Sequence, residues 1–318
     1  MSTSSYNLQP ATYNLKWAVL LLAHGAPECV EDIPEYLKNV RGGRPLPEPV
    51  IREIVRRYEL IGGDSPLRRI TEQQARALQT RLQAPVFVGM RNWKPFISEA
   101  VAALPAGLER LVVVCMAPHS SRTSIGLYRK HLDAALEKAA EPRPSVSFIE
   151  DWHDHPLLIG AFADKIRSAL EQIQQCRDRQ GAVPGALPVI LTAHSVPEST
   201  IAAGDPYEAQ ARRTAALVAE AAGLRNWRMA FQSQGMTPEP WLGPTVQSQI
   251  DELAAEGHRS VFIGPISFLC DHAEIFYDID ILFRDYARGK GMELRRSESL
   301  NDSPLLIEAL ASLVLGRL

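Results

Sequence analysis

At 318 residues, with 46% apolar and 22% charged positions and a net charge of −3 from 34 basic and 37 acidic side chains, the chain is long enough for two domains of ordinary size. No apolar run reaches the roughly 18 residues of a membrane-spanning helix, and the near-neutral balance lacks the basic clusters of a nucleic-acid binder. The polar first 15 residues show none of the parts of a secretory signal, so an intracellular, cytoplasmic protein is expected; its separated cysteines, Cys29, Cys115, Cys176 and Cys270, read as reduced, mostly buried thiols without metal-site spacing.

Short runs rich in Val, Ile and Leu alternate with longer amphipathic stretches, the pattern of strand–helix units around a parallel sheet. The first strand is predicted at Trp17–Leu22. Pro47 then opens a helix with Val50, Ile54, Tyr58 and Ile61 on one face, and Gly62-Gly63 supply a left-handed stop. Thr71 followed by Gln74 reads as a capping box for a helix ending near Leu82. Strands at Val86–Gly89 and Leu111–Cys115, a helix over about Thr123–Ala140 and a strand at Val146–Ile149 complete the first half. The second half reads as a helix at Pro156–Cys176, a loop at Gly181–Pro188, and strands at Val189–Thr192, Arg228–Gln232, Ser260–Gly264 and Glu293–Arg296. Helices are expected among them at Pro206–Ala222, Gly243–Glu256 and Glu274–Arg288, and after them at Pro304–Leu318.

An internal repeat relates the halves. AVLLLAHGAPE (Ala18–Glu28) matches PVILTAHSVPE (Pro188–Glu198), each an apolar strand followed by Ala-His, a small residue and Pro-Glu. His24 and His194 therefore stand at the carboxyl ends of equivalent strands, where open parallel sheets bind ligands. The alternative is that both histidines only cap turns.

No phosphate-binding glycine loop is present, and Ser195 lacks the Gly-x-Ser-x-Gly setting of a hydrolase nucleophile. Asp271, His272, Glu274, Asp278 and Asp280 crowd into one short segment. On a helix Glu274 and Asp278 share a face, with Asp271 one turn earlier on roughly the same side. Neighbouring carboxylates raise each other's pKa, which suits handling of a cation or proton; a solvated acidic first turn is the other reading. Arg41, Arg44, Arg57 and Arg91, with Tyr58, Ser65, Ser121 and Tyr128, are cations and hydroxyls beside loops and helix ends. They suit a ligand with several carboxylates, or are ordinary surface groups. The stiff segment Phe231–Pro244 either walls a flat aromatic ligand or is a rigid connection.

Five segments carry a resemblance to a known family: YELIGGDSPL (Tyr58–Leu67), TAHSVPE (Thr192–Glu198), GDPY (Gly204–Tyr207), QSQGMTPEPWLGP (Gln232–Pro244) and DHAEIFYDID (Asp271–Asp280). The chain resembles the ferrochelatases, which insert Fe2+ into a porphyrin, and the likeness runs from Val19 to Leu315. It implies an α/β fold of two Rossmann-like halves, each a four-stranded parallel sheet flanked by helices, with a porphyrin cleft between them. Residues 1–145 would form the propionate-binding half and 146–318 the half bearing His194 and Glu274. Those two residues would face each other as the catalytic and metal-site pair, with Asp278 continuing a row of acids behind Glu274. The row is interrupted at Leu282, where relatives carry a carboxylate.

The first half resembles the soluble bacterial enzymes that act on coproporphyrin III. This implies porphyrin contacts at Arg41, Arg57, Tyr58, Ser65, Ser121 and Tyr128 and a cation at Arg91. Where those relatives have tyrosine, this chain has His24, an additional candidate ligand for the product's iron that also resembles the opening motif of sirohydrochlorin and cobalt chelatases. The resemblance implies porphyrin and Fe2+ as substrates, no resident cofactor, transient haem-pathway partners and, with no paired cysteines, no iron–sulfur cluster. Protoporphyrin IX insertion, sirohydrochlorin or cobalt chelation, and a non-catalytic tetrapyrrole carrier are the alternatives.

Overall fold

The structure, a computed structural model, describes residues 16–179, 187–235 and 238–318. The expected loop at Gly181–Pro188 lies outside the described residues up to residue 186, as do Met236 and Thr237 of the stiff segment. Strands β1 (Trp17–Ala23), β2 (Val86–Met90), β3 (Arg110–Cys115) and β4 (Ser145–Ile149) form one sheet in the order β2-β1-β3-β4. Strands β5 (Val189–His194), β6 (Trp227–Gln232), β7 (Ser260–Pro265) and β8 (Glu293–Arg296) form a second in the order β6-β5-β7-β8. All pairings are parallel. In both halves the strand ending in histidine or leading to it is internal, flanked by the second and third strands, so the repeated segment occupies equivalent places.

The eight predicted strands agree with the observed ones to within two residues at either end, because these runs are apolar on both faces, as strands covered on both sides must be. Val19, Leu21, Val112 and Val114 turn into a core shared with Leu191, Phe231 and Phe262 of the other sheet. Leu20, Leu22 and Val113 turn the opposite way, onto α4 (Ile97–Ala102) and α5 (Ile125–Leu136). Ile190, Ala230 and Val261 do the same in the second half, against α9 (Val246–Ala255). The shared core is filled by α6 (Pro156–Arg179), α8 (Tyr207–Ala222) and α11 (Pro304–Leu315), and α11 also packs on α3 (Leu67–Leu82) of the first half. Because β4 starts at residue 145 and pairs with β3 along its length, the first sheet ends at Ile149, beyond the expected division at 145/146.

Helix ends depart from expectation in informative ways. Thr71 caps nothing: α3 begins at Leu67, and the buried Thr71 hydroxyl donates to Leu67 O at 2.8 Å. Gln74 instead crosses to the second half, its amide donating to Leu269 O at 3.2 Å and Asn301 O at 2.6 Å. The true N-cap of α9 is Thr245, whose hydroxyl accepts from Ser248 N. The expected helix at Glu274–Arg288 is a π-helix over Ile275–Phe283 followed by α10 (Arg284–Gly289). A 3-10 turn (Val30–Asp32), the short helices α1 (Ile33–Val40) and α7 (Glu198–Ala202), and α2 (Glu48–Leu60), which starts after Pro47 as expected, complete the described elements. Among the described residues no helix is long and apolar enough to cross a membrane.

Candidate active site

The carboxyl ends of β1, β3, β5 and β7 converge on a cleft of about 480 Å³ between the halves. The first half contributes His24, Tyr36, Tyr58, Ser65, Arg91, Ser121 and Tyr128 to its wall, and the second contributes His194, Tyr207, Trp241, Phe268, His272 and Glu274. Eight of the eleven residues singled out from the sequence for porphyrin and chelation, six of them in the first half with His194 and Glu274 in the second, thus gather without being near one another in the chain. Arg41 and Arg57 are not in the wall: Arg41 closes α1 at the surface, and Arg57 pairs with Glu53 at 2.9 Å and lies over the ring of Tyr277.

At the floor, His194 Nε2 lies 3.6 Å from Glu274 Oε2, and His272 Nε2 lies 3.7 Å from the same oxygen. His194 Nδ1–H donates to Ser195 O, which fixes the tautomer and turns Nε2 toward Glu274. The residue's own backbone is held too, since His194 N donates to Ser267 Oγ and His194 O accepts from Tyr207 Oη at 2.8 Å. Burial pushes the His194 imidazole down, but the charge and hydrogen bond of Glu274 outweigh it and its pKa is raised. Burial likewise pushes Glu274 up, yet His194 and His272 together hold it well below the usual carboxylate range. The two side chains keep 36% and 45% of their surface accessible, and that surface faces the cleft, where a reactant can reach them.

Asp278 sits behind Glu274 on the π-helix and is buried. Burial pushes its pKa up to about 6, opposed by a hydrogen bond from Ser233 Oγ and assisted by the charge of Glu274. Ser233 has φ +59°, the left-handed region that a non-glycine residue adopts at a cost, and that turn aims its hydroxyl at Asp278. Two acids of the crowded segment are elsewhere. Asp271 precedes the helix and, with Asp280, is clamped by Arg296 at 3.0 and 2.7 Å, so it does not share the face of Glu274 and Asp278. Asp271 also accepts from Asn301 at 2.8 Å. Ser195 is fully buried and donates to Leu242 O, which leaves it no nucleophile's role.

Across the cleft, His24 Nδ1–H is shared between Gly25 O at 3.0 Å and the Tyr36 hydroxyl at 3.3 Å, and Nε2 accepts from Asn92 Nδ2 at 3.1 Å. Burial and the charge of Arg91 push His24 down to about 4, so the ring is neutral at neutral pH. Arg91 lies over the ring of Tyr128. Its Nε, and the hydroxyl of Ser65, are buried without a hydrogen-bond partner. Orphaned donors of this kind are rare, and in a cleft wall they suit a ligand that brings acceptors. Tyr36, Asn92 and Ser233 were not singled out from the sequence. Asn92 adjoins Arg91 and Ser233 lies within the Gln232–Pro244 segment, whereas Tyr36 stands twelve positions after His24.

The ferrochelatase family model matches residues 16–318. The chain belongs to the ferrochelatase family. It is 49% identical over 312 residues to a ferrochelatase of Acidobacterium capsulatum, covering 93% of each chain. It is 38% identical to the coproporphyrin III ferrochelatase of Geobacillus thermodenitrificans over 94% of this chain and 95% of that one. Among solved structures, SirB from Bacillus subtilis with Fe3+ superposes with a TM-score of 0.55 at 13% identity, covering 94% of each chain; at that identity the likeness establishes the fold. As a ferrochelatase, the chain is an enzyme of metal insertion into porphyrin in haem synthesis.

Proposed function

We propose that this ferrochelatase inserts Fe2+ into coproporphyrin III. The observation that carries the reading is the pairing, in one cleft, of an imidazole–carboxylate floor with first-half donors that have no protein partner, Arg91 Nε and Ser65 Oγ. Propionates are acceptors that such donors satisfy, and a substrate with four of them uses more of the first-half wall than one with two.

Insertion releases two protons from the free-base ring for each Fe2+ that enters. A flat ring presents its nitrogen lone pairs poorly, and binding energy from the carboxylates can tilt a pyrrole toward the metal. His194, whose one free lone pair is at Nε2 because Nδ1–H is given to Ser195 O, holds the entering iron first and takes a pyrrole proton once the iron has passed to the ring; Glu274 removes water from the iron and then stabilises the imidazolium. Asp278, titrating near 6, receives protons behind Glu274. On the opposite wall, neutral His24 is suited to bind the product's iron through Nε2, for which Asn92 must release its hydrogen bond. Fe2+ is thus substrate rather than resident cofactor, no iron–sulfur cluster takes part, and the setting is cytoplasmic.

An anaerobic assay of Fe2+ with coproporphyrin III, protoporphyrin IX and sirohydrochlorin tests this reading. Multiple turnovers with highest kcat/KM on coproporphyrin III are expected, and His194→Ala should abolish insertion while porphyrin still quenches and binds. Faster turnover of protoporphyrin IX overturns the substrate assignment. Stoichiometric binding without turnover identifies a carrier, and near-normal turnover by the variant removes His194 from the mechanism.

A further inference from the structure

The GDPY segment places Tyr207 in the cleft wall, and its aspartate, which no step above uses, is a buried carboxylate bonded to both halves. Gly204 has φ +84°, a conformation open to glycine, and with it the chain turns out of α7 so that Asp205 points inward. The Asp205 side chain is fully inaccessible to solvent, and it is absent from the cleft wall. Its Oδ2 accepts from Ser121 Oγ at 3.1 Å and from Arg122 N at 2.8 Å, both in the first half, with Arg122 Nε 3.9 Å away. Its Oδ1 accepts from Tyr207 N at 3.1 Å, in the second half. A buried charge is tolerated only with such a set of donors.

Both arms end on the cleft. Ser121 Oγ is 2.9 Å from Thr123 Oγ1, and both residues line the wall. The Tyr207 hydroxyl donates to His194 O. Holding the Ser120 loop on α8 does not require this arrangement, because Gln210 Oε1 already accepts from Ser120 N at 2.6 Å and Thr214 Oγ1 meets His119 Nε2 at 2.9 Å. What Asp205 adds is a fixed relation between the Ser121–Thr123 wall and the backbone of His194.

We propose that Asp205 is a positioning residue for metal insertion, its carboxylate holding the wall that seats the ring in register with the histidine that accepts the ring's proton. The proposal rests on the cleft being the porphyrin site. A small error in such a register is costly to rate and cheap to affinity, since the ring still binds but presents its nitrogens in the wrong place.

Asp205→Asn preserves volume and sets an amide against donors. The expected result is a folded protein, by its cooperative melt, with free-base porphyrin dissociation constant changed less than about threefold and kcat lowered about tenfold or more. The out-of-plane resonance Raman bands of the bound porphyrin should change with it, which a loss of folded protein alone would not cause. Adding Tyr207→Phe to Asp205→Asn should lower kcat no further, because the same path is already broken. Folded Asp205→Asn with kcat within about twofold of wild type, or additive losses in the double variant, overturns the proposal. Should Asp205→Asn fail to fold, Tyr207→Phe alone decides: a fall in kcat at constant porphyrin affinity supports positioning, and an unchanged kcat overturns it. Iron insertion by wild type, measured in parallel, tests the reading of the cleft itself, so a normal Asp205→Asn overturns the second claim and leaves the first standing.

Discussion

Replacing Asp278 with asparagine should make this enzyme more stable at neutral pH and leave it unchanged in acid. Asp278 is 7% exposed, and burial raises its pKa from 3.8 to about 6 against the opposing Ser233 hydrogen bond. At 1.36 kcal/mol per unit, that upward shift means that ionised Asp278 costs the folded state roughly 3 kcal/mol. The sign follows from proton binding: the folded protein holds this proton more tightly than the unfolded chain does. The contribution to stability is complete below about pH 4, is lost as pH rises toward 6, and is absent above it. Asparagine keeps an oxygen to accept from Ser233 and carries no charge to desolvate. The melting temperatures of wild type and Asp278→Asn, measured by calorimetry from pH 4 to 8, should therefore coincide at the acid end and diverge to roughly 5 °C above pH 6.5. A difference that is the same at every pH would show that Asp278 does not titrate in this window, and would remove it from any proton path near neutrality. Insertion by the variant should fall at the same time, since the acceptor behind Glu274 is gone.

Three further outcomes are expected. His24→Ala should shift the visible spectrum of the iron-loaded product complex, because a ring held neutral by its pKa of about 4 is in its ligating form; an unchanged spectrum excludes ligation. Gly25→Ala places a Cβ 2.8 Å from Trp93 N at φ +83° and should cost more than about 2 kcal/mol in denaturant unfolding, with a neutral effect showing that the turn after β1 can yield. Arg296→Met leaves the buried Asp271 without its cation and Asp280 with Arg284 alone and should destabilise by about 3 kcal/mol or more in denaturant unfolding; a neutral effect would show that the clamp contributes nothing to stability.

The sequence by itself determined the two sheets and their relation. Strands apolar on both faces cannot be mistaken for surface elements, and the repeated strand-Ala-His segment marks the same place in each half without any knowledge of contacts. It also determined which residue types could do the chemistry, since an imidazole and carboxylates suit proton and metal handling wherever the fold sets them. Element ends were less legible, because a Thr-x-x-Gln pattern serves a helix start and a helix interior equally well; at Thr71 and Gln74 the deciding partners, Leu269 O and Asn301 O, lie in the other half of the chain. The π-helix over Ile275–Phe283 has no compositional mark. Only the tertiary structure decided which acids reach the cleft. Arg296, on a strand that follows the acidic segment, draws Asp271 and Asp280 away, while His194 and His272 hold Glu274 at the floor. Charges in one short segment are equivalent in sequence and become different through the partners that folding brings to them, because a carboxylate's energy is set by the charges, donors and burial around it rather than by its position in the chain.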